Sequence, residues 1–178
     1  MLLYKHIELS TWTAIIERFQ ELMPNVVKQQ SYTCTQQDKI WLSSVIEPAI
    51  ASTLGSKLKL KSAIVFGQGP GSIQEVHVDG FGVARKGASN WALNIPIANC
   101  GHGEMIWYSG KFHLSETANT QGLKYLDLTW DGEQKIQESI IIDKPTIVKI
   151  DVPHQVINNS NTRRLMLSVR FSPDIFIG

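Results

Sequence analysis

Two histidines, one aspartate and one arginine have the residue types and spacing best suited to chemistry in this chain. His77 and Asp79 stand two positions apart in the segment His77-Val78-Asp79, and His154 and Arg164 follow far downstream. Two imidazoles and one carboxylate suit a divalent metal such as Fe(II), because they occupy one face of an octahedron and leave three positions open. The guanidinium of Arg164 offers a planar fork that matches a carboxylate. The sequence therefore predicts a metal bound by His77, Asp79 and His154 beside a carboxylate-binding arginine.

Strands are the elements that can bring these side chains together. Residues two apart on a strand point to the same side, so His77 and Asp79 are expected to share one pocket, to which another strand brings His154. The apolar segment headed by Arg164 shows the same alternation. Its first side carries Arg164, Met166, Ser168 and Arg170, and its second carries Leu165, Leu167, Val169 and Phe171. Two arginines and a serine on one side indicate either the wall of a polar pocket or a solvated outer face.

The ordered set His77-x-Asp79, His154 and Arg164 resembles the Fe(II)- and 2-oxoglutarate-dependent oxygenases. The stretch 91–97 is similar to small bacterial and phage-encoded members, and the turn at 158–160 to the turn before the cosubstrate arginine in prolyl-hydroxylase-like proteins. The resemblance implies a double-stranded β-helix, a kind of jelly roll, with Fe(II) on the three ligands. It also implies that Arg164 binds the far carboxylate of 2-oxoglutarate, whose oxidative decarboxylation to succinate accompanies hydroxylation of a substrate. Asp79 places the chain nearer the members with a complete triad than the aspartyl-hydroxylase-like proteins that lack this carboxylate.

Three further residues are candidates for binding the cosubstrate. Arg170 is the alternative to Arg164 as its carboxylate partner, or it assists Arg164 or meets the substrate. Ser168 can donate its hydroxyl hydrogen to the same carboxylate. Asn94 lies in an otherwise apolar strand, where a buried amide needs a hydrogen-bond partner. That partner is either the backbone or the bound cosubstrate.

Two residues are candidates for binding the substrate. Arg85 lies in a glycine-rich loop just after the first two ligands, where it is either a solvated arginine or a clamp for a substrate carboxylate. Trp107 ends a strand before a turn, where it either packs in the core or lines the pocket. His102 and His113 fall in loop-like sequence and are not expected to bind the metal.

The remaining pattern predicts a mainly β fold with N-terminal helices. Helices are expected at 11–23 and 36–54, with Gly55 ending the second and Pro48 kinking or breaking it. Short apolar runs between turn residues then predict strands at 61–66, 73–78, 91–97, 104–108, 123–129, 138–142, 145–150 and 163–171. We expect one domain over 1–178, in which residues 1–57 form a helical support and residues 58–178 the double-stranded β-helix core.

Composition narrows the class of protein but does not identify a substrate. The chain has 178 residues, of which 43% are hydrophobic and 19% charged, and a net charge of +1. No basic stripe suggests a nucleic-acid partner, and no apolar run is long enough for a membrane span. The two isolated cysteines form no disulfide framework, which favours a cytoplasmic protein with reduced thiols. We expect a small-molecule or peptide substrate; the alternative is a non-catalytic, cupin-like β-helix binding module.

Overall fold

Two helices brace a set of antiparallel β-strands in this computed structural model, which describes residues 1–21, 31–79, 89–118, 124–175 and 177. The helices are α1 (Trp12–Gln20) and α2 (Gln36–Leu54). The strands are β1 (Tyr4–His6), β2 (Ser31–Thr33), β3 (Lys59–Gln68), β4 (Trp91–Ala98), β5 (Gly103–Ser109), β6 (Phe112–Ala118), β7 (Lys124–Trp130), β8 (Lys135–Ile141), β9 (Thr146–Lys149), β10 (His154–Asn158) and β11 (Arg164–Ser172). A short 3-10 turn, Cys100–His102, joins β4 to β5.

Helix α2 begins and ends where the sequence predicts. Thr35 caps it, since its side chain accepts a hydrogen bond from the Asp38 backbone while the Asp38 carboxylate accepts one from the Thr35 backbone. Gly55 ends the helix in the left-handed conformation, with a φ of 66°. A kink or a break was predicted at Pro48, and the break is wrong because the helix continues through this residue. Packing compensates for the lost backbone hydrogen bond, since the neighbouring turns bury Ile46 and Ile50 completely.

The strands form two main sheets and a separate hairpin. The larger sheet has the order β1-β9-β4-β11-β3-β2, and the smaller has the order β10-β5-β8, while β6 pairs with β7. The predicted strand at 73–78 lies along β10 and contacts it through two isolated bridges, Ile73 opposite Ile157 and His77 opposite His154. This segment therefore lies beyond β10, at the edge of the smaller sheet.

Strand β11 separates two buried clusters, because its alternate side chains face opposite ways. Leu165, Leu167 and Val169 pack in one cluster with residues of both helices, including Phe19 and Leu42. Met166 points to the other face, into a cluster made by residues of both sheets: Leu3, Ala92, Cys100, Met105, Trp107, Ile142, Val148 and Ile150. Apolar side chains therefore fill only part of the space between the two sheets. The polar side chains of β11 face the remaining space.

Within the described residues, no helix combines the length and the apolar character needed to cross a membrane.

Candidate metal centre

Backbone pairing places the two predicted histidine ligands directly opposite each other. The His77 N–H donates to the His154 carbonyl and the His154 N–H to the His77 carbonyl, both at 2.9 Å. The two rings lie 4.4 Å apart between centroids. Asp79 is fixed two residues further on, where its N–H donates to the Ile150 carbonyl at 2.9 Å. Residues far apart in sequence thus converge on one point at the edge of the smaller sheet.

Hydrogen bonds to the backbone orient both imidazoles toward Asp79. Nδ1 of His77 lies 2.8 Å from the Glu75 carbonyl oxygen, and Nδ1 of His154 lies 2.9 Å from the Val152 carbonyl oxygen. Because a carbonyl oxygen only accepts, each Nδ1 carries the proton of the neutral ring and Nε2 keeps its lone pair. Nε2 of His77 is 3.3 Å from Asp79 Oδ1, and Nε2 of His154 is 4.0 Å from Asp79 Oδ2.

These three side chains fit a divalent metal. Their ligand atoms all lie within 4.8 Å of one another. Ligands at right angles around an ion, with bonds of about 2.0–2.2 Å, stand roughly 3 Å apart, so only small side-chain shifts are needed. Two neutral imidazoles and a carboxylate are also the donor set expected for Fe(II) in an open facial site.

The pKa shifts of His154 and Asp79 favour metal binding, whereas the raised pKa of His77 opposes it, because a histidine binds a metal in its neutral form. Burial lowers the pKa of His154 to about 4 despite the nearby charge of Asp79, so this ring is neutral near pH 7. Burial alone would also lower the pKa of His77, but the hydrogen bond and charge of Asp79 outweigh it and the pKa is raised. Burial alone would raise the pKa of Asp79, yet the hydrogen bond with His77 and the positive charge of Arg170 hold that pKa well below its usual range. Asp79 is therefore ionised, as a carboxylate that binds a metal must be.

A second polar feature, the guanidinium of Arg164, lies in the same cavity. Arg164 is only 4% exposed. Its Nη1 donates to Oε1 of Gln68, while its buried Nε has no hydrogen-bond partner. Among the residues that the structure describes, none places a carboxylate within salt-bridge distance of this side chain. A buried cation without an anionic partner among these residues is suited to binding an anion.

The cavity that joins these features has a volume of about 670 Å³. Its wall includes the side of β11 that carries Arg164, Met166, Ser168 and Arg170. Of the two interpretations that the sequence left open for this side, the structure therefore selects the pocket wall. Phe66 and Ile73 lie at its open side, where they are 38% and 66% exposed.

Asn94, Ser168 and Arg170, the other candidates for binding a cosubstrate, form one hydrogen-bonded chain in the cavity wall. Ser168 donates to Oδ1 of Asn94 at 2.6 Å and accepts from Nη1 of Arg170 at 2.6 Å. Nη2 of Arg170 donates to Oδ2 of Asp79 at 3.0 Å. Arg170 is thus paired with the proposed metal ligand, which leaves Arg164 as the better placed arginine for a cosubstrate carboxylate.

Structural comparison relates the fold to known proteins, although no protein-family model matches the chain and no curated protein is detectably similar to it in sequence. The non-haem α-ketoglutarate-dependent carbocyclase SnoK of nogalamycin biosynthesis superposes with a TM-score of 0.57 at 12% identity, covering 94% of this chain and 78% of SnoK. A Pseudomonas putida prolyl-4-hydroxylase gives 0.52 at 11% identity, covering 94% and 91%. Iron-bound HygX from Streptomyces hygroscopicus gives 0.53 at 10% identity, covering 93% and 80%. The chain has the double-stranded β-helix fold of these proteins.

Of the two alternatives for Trp107, core packing or lining the cavity as a substrate-binding residue, the structure shows core packing. Trp107 is completely buried, stacks on Tyr4 with centroids 5.9 Å apart, and donates its indole N–H to the Lys149 carbonyl at 2.9 Å. Strand β1 covers it, so core packing is its role in the described structure. Arg85 lies outside the described residues, and His113, which is exposed near Asp131, lies away from the triad.

Two residues that support the cavity were missed by the sequence analysis. Gln68 accepts the hydrogen bond from Arg164. Asn158 is completely buried and donates to the carbonyls of Gln68, Gly69 and Thr162. Its only signal in the sequence was its place in a polar turn shortly before Arg164. These hydrogen bonds of Asn158 attach that turn to the end of β3 and so fix the position of the start of β11.

Proposed function

We propose that this protein is an Fe(II)- and 2-oxoglutarate-dependent oxygenase that hydroxylates a small-molecule or peptide substrate. The observation that carries the proposal is a buried arginine, with no carboxylate partner among the described residues, in the same cavity as a histidine–aspartate–histidine triad. Bound Fe(II), 2-oxoglutarate and O2 would supply the oxidative decarboxylation of the cosubstrate and the oxidation of a substrate C–H bond. The shared fold and the iron and α-ketoglutarate named for its structural neighbours support this choice of metal and cosubstrate.

Different residues of the chain would bind the metal and the cosubstrate. His77, His154 and Asp79 would hold the iron, with both histidines fixed in the ligand-competent tautomer by backbone carbonyls. Arg164 would bind the far carboxylate of 2-oxoglutarate, and Gln68 holds its guanidinium in place. Burial strengthens this charge-assisted contact because water competes less for the donors. A cavity of about 670 Å³ is within the range of small-ligand sites, so it accommodates a cosubstrate together with part of a substrate.

Two variants separate the metal from the cosubstrate. Arg164→Ala should weaken anaerobic binding of 2-oxoglutarate to the Mn(II)-loaded protein by roughly 2–5 kcal/mol, which is about thirtyfold to several-thousandfold. Its Mn(II) affinity should stay near the wild-type value. Arg164→Lys should recover only part of the loss, because an ammonium lacks the planar fork. Asp79→Ala should instead weaken Mn(II) binding, since two neutral imidazoles leave the charge of the ion uncompensated.

Turnover provides the second measurement. Wild-type protein with Fe(II), ascorbate and 2-oxoglutarate should release succinate above a control without iron, and Zn(II) should not substitute because it has no redox chemistry. If the wild type binds neither a divalent metal nor 2-oxoglutarate without oxygen, the oxygenase assignment is wrong and a non-catalytic binding module takes its place.

A further inference from the structure

The two carboxylate oxygens of Asp79 have different partners. Oδ1 lies 3.3 Å from Nε2 of His77. Oδ2 accepts a hydrogen bond from Nη2 of Arg170 at 3.0 Å and lies 4.0 Å from Nε2 of His154. The side chains of Arg170 and Asp79 are 18% and 34% exposed, so this ion pair is only partly shielded from water. One oxygen of the proposed metal ligand is therefore already engaged by a guanidinium.

The guanidinium of Arg170 is itself anchored to the larger sheet. Its Nη1 donates to Oγ of Ser168, and Ser168 donates to Oδ1 of Asn94, both at 2.6 Å. Because a guanidinium can only donate, Oγ of Ser168 accepts from it and directs its single hydrogen to Asn94. Ser168 and Asn94 are direct cross-strand partners on β11 and β4. The guanidinium is thus held between the sheet and the carboxylate.

We propose that Arg170, anchored through Ser168 and Asn94, is a positioning residue that leaves only Oδ1 of Asp79 free to bind the metal. This inference rests on the proposed function, because it concerns the same metal site. A carboxylate that turns freely can bind an ion with both oxygens and occupy one of the three positions that the cosubstrate and O2 require. A guanidinium that occupies Oδ2 disfavours this second contact.

This role also distinguishes the two arginines on the same side of β11. Arg170 has a carboxylate partner at 3.0 Å. Arg164 has none among the described residues and keeps a buried Nε without a hydrogen-bond partner. Arg170 therefore acts on the metal ligand, while Arg164 is available to the cosubstrate.

The test uses Co(II) as the probe metal and omits 2-oxoglutarate. Arg170→Lys keeps the positive charge but cannot donate to Ser168 and Asp79 with one planar group. This variant therefore tests the orientation of the Asp79 carboxylate separately from the charge of residue 170. We expect its Co(II) affinity to fall about 10- to 100-fold, as is typical when a partner of a metal ligand is lost. The visible absorption of bound Co(II) should change as well, since it depends on the number and geometry of the ligands. Ser168→Ala, which removes only the anchor, should produce a smaller loss in the same direction.

A matched control is Arg18→Lys, which alters another Arg–Asp pair. Arg18 bonds Asp38 at 3.0 Å on the helices, outside the cavity wall. This variant should keep the wild-type Co(II) affinity and absorption. Thermal unfolding of every variant identifies losses caused by misfolding, and if Arg170→Lys does not fold, Ser168→Ala decides alone.

Three outcomes overturn the proposal in different ways. Wild-type Co(II) affinity and absorption in both folded variants would show that Arg170 has no positioning role. A loss that emerges only after 2-oxoglutarate is added would mean that Arg170 contacts the cosubstrate itself. If the wild type binds no Co(II), the metal site of the proposed function fails, and the role of Arg170 fails with it.

Discussion

Gly103 offers a direct way to disturb Arg164 without altering any polar group. It begins β5 and lies opposite Asn158 of β10. A Cβ added at Gly103 would lie 2.5 Å from Nε and 2.6 Å from Cδ of Arg164. The backbone of Gly103, with φ of −96° and ψ of 124°, is accessible to any residue. Gly103→Ala should therefore act through the collision with Arg164 and not through backbone strain.

The size of the effect follows from these distances. The added methyl group would approach the arginine about 1 Å closer than ordinary van der Waals contact, so the guanidinium must move by a similar amount. Complete loss of a buried charge-assisted pair costs roughly 2–5 kcal/mol. A displaced but still present guanidinium should lose about half of that, or about 1–2.5 kcal/mol. This corresponds to roughly fivefold to 70-fold weaker binding of 2-oxoglutarate.

The assay is anaerobic titration of 2-oxoglutarate into the Mn(II)-loaded protein by calorimetry. Affinity for Mn(II) itself should be unchanged, because the methyl group does not contact the triad. Gly101→Ala is the matched control, since no atom lies within 4 Å of its added Cβ. If folded Gly103→Ala binds 2-oxoglutarate as tightly as the wild type, Arg164 in its present position is not the cosubstrate anchor.

Two further predictions concern stability. Burial alone would raise the pKa of Asp38, but hydrogen bonds from Thr35, Arg18 and Tyr32 outweigh this effect, and the pKa is lowered. The stabilisation of the fold by ionised Asp38 is therefore complete above the unfolded-state pKa of about 3.9. This stabilisation is lost as the pH falls through the lower folded-state pKa. Asp38→Asn should cost about 1–3 kcal/mol at pH 7 and progressively less as the pH falls through the folded-state pKa of Asp38, and urea unfolding over a series of pH values measures this decline. Trp107→Phe should destabilise the fold by about 1–3 kcal/mol by leaving the Lys149 carbonyl without its indole donor, while 2-oxoglutarate affinity stays unchanged. If Trp107→Phe instead loses affinity for 2-oxoglutarate without losing stability, Trp107 lines the cavity and its role in core packing is wrong.

Local signals in the sequence were sufficient for several parts of the structure. Helix α2 could be bounded because Thr35, Asp38 and Gly55 act on their immediate neighbours. The two sides of β11 could be assigned because strand alternation is a property of the backbone. The triad could be proposed because only a few residue types bind Fe(II), and three of them occur in a suitable order. These inferences depend on the chemistry of the residues or on contacts a few positions apart.

Other parts were decided only by contacts between distant segments. Arg164 and Arg170 share a side of β11 and are equivalent by pattern, and they differ because Asp79, 91 residues from Arg170, binds one and not the other. Trp107 is a core residue because β1 covers it, which nothing around Trp107 in the sequence indicates. His77 and His154 face each other because the segment before Asp79 runs along β10. The residues present determine which chemistry is available, whereas the packing of strands from distant parts of the chain determines which side chains remain unpaired and free to bind a ligand.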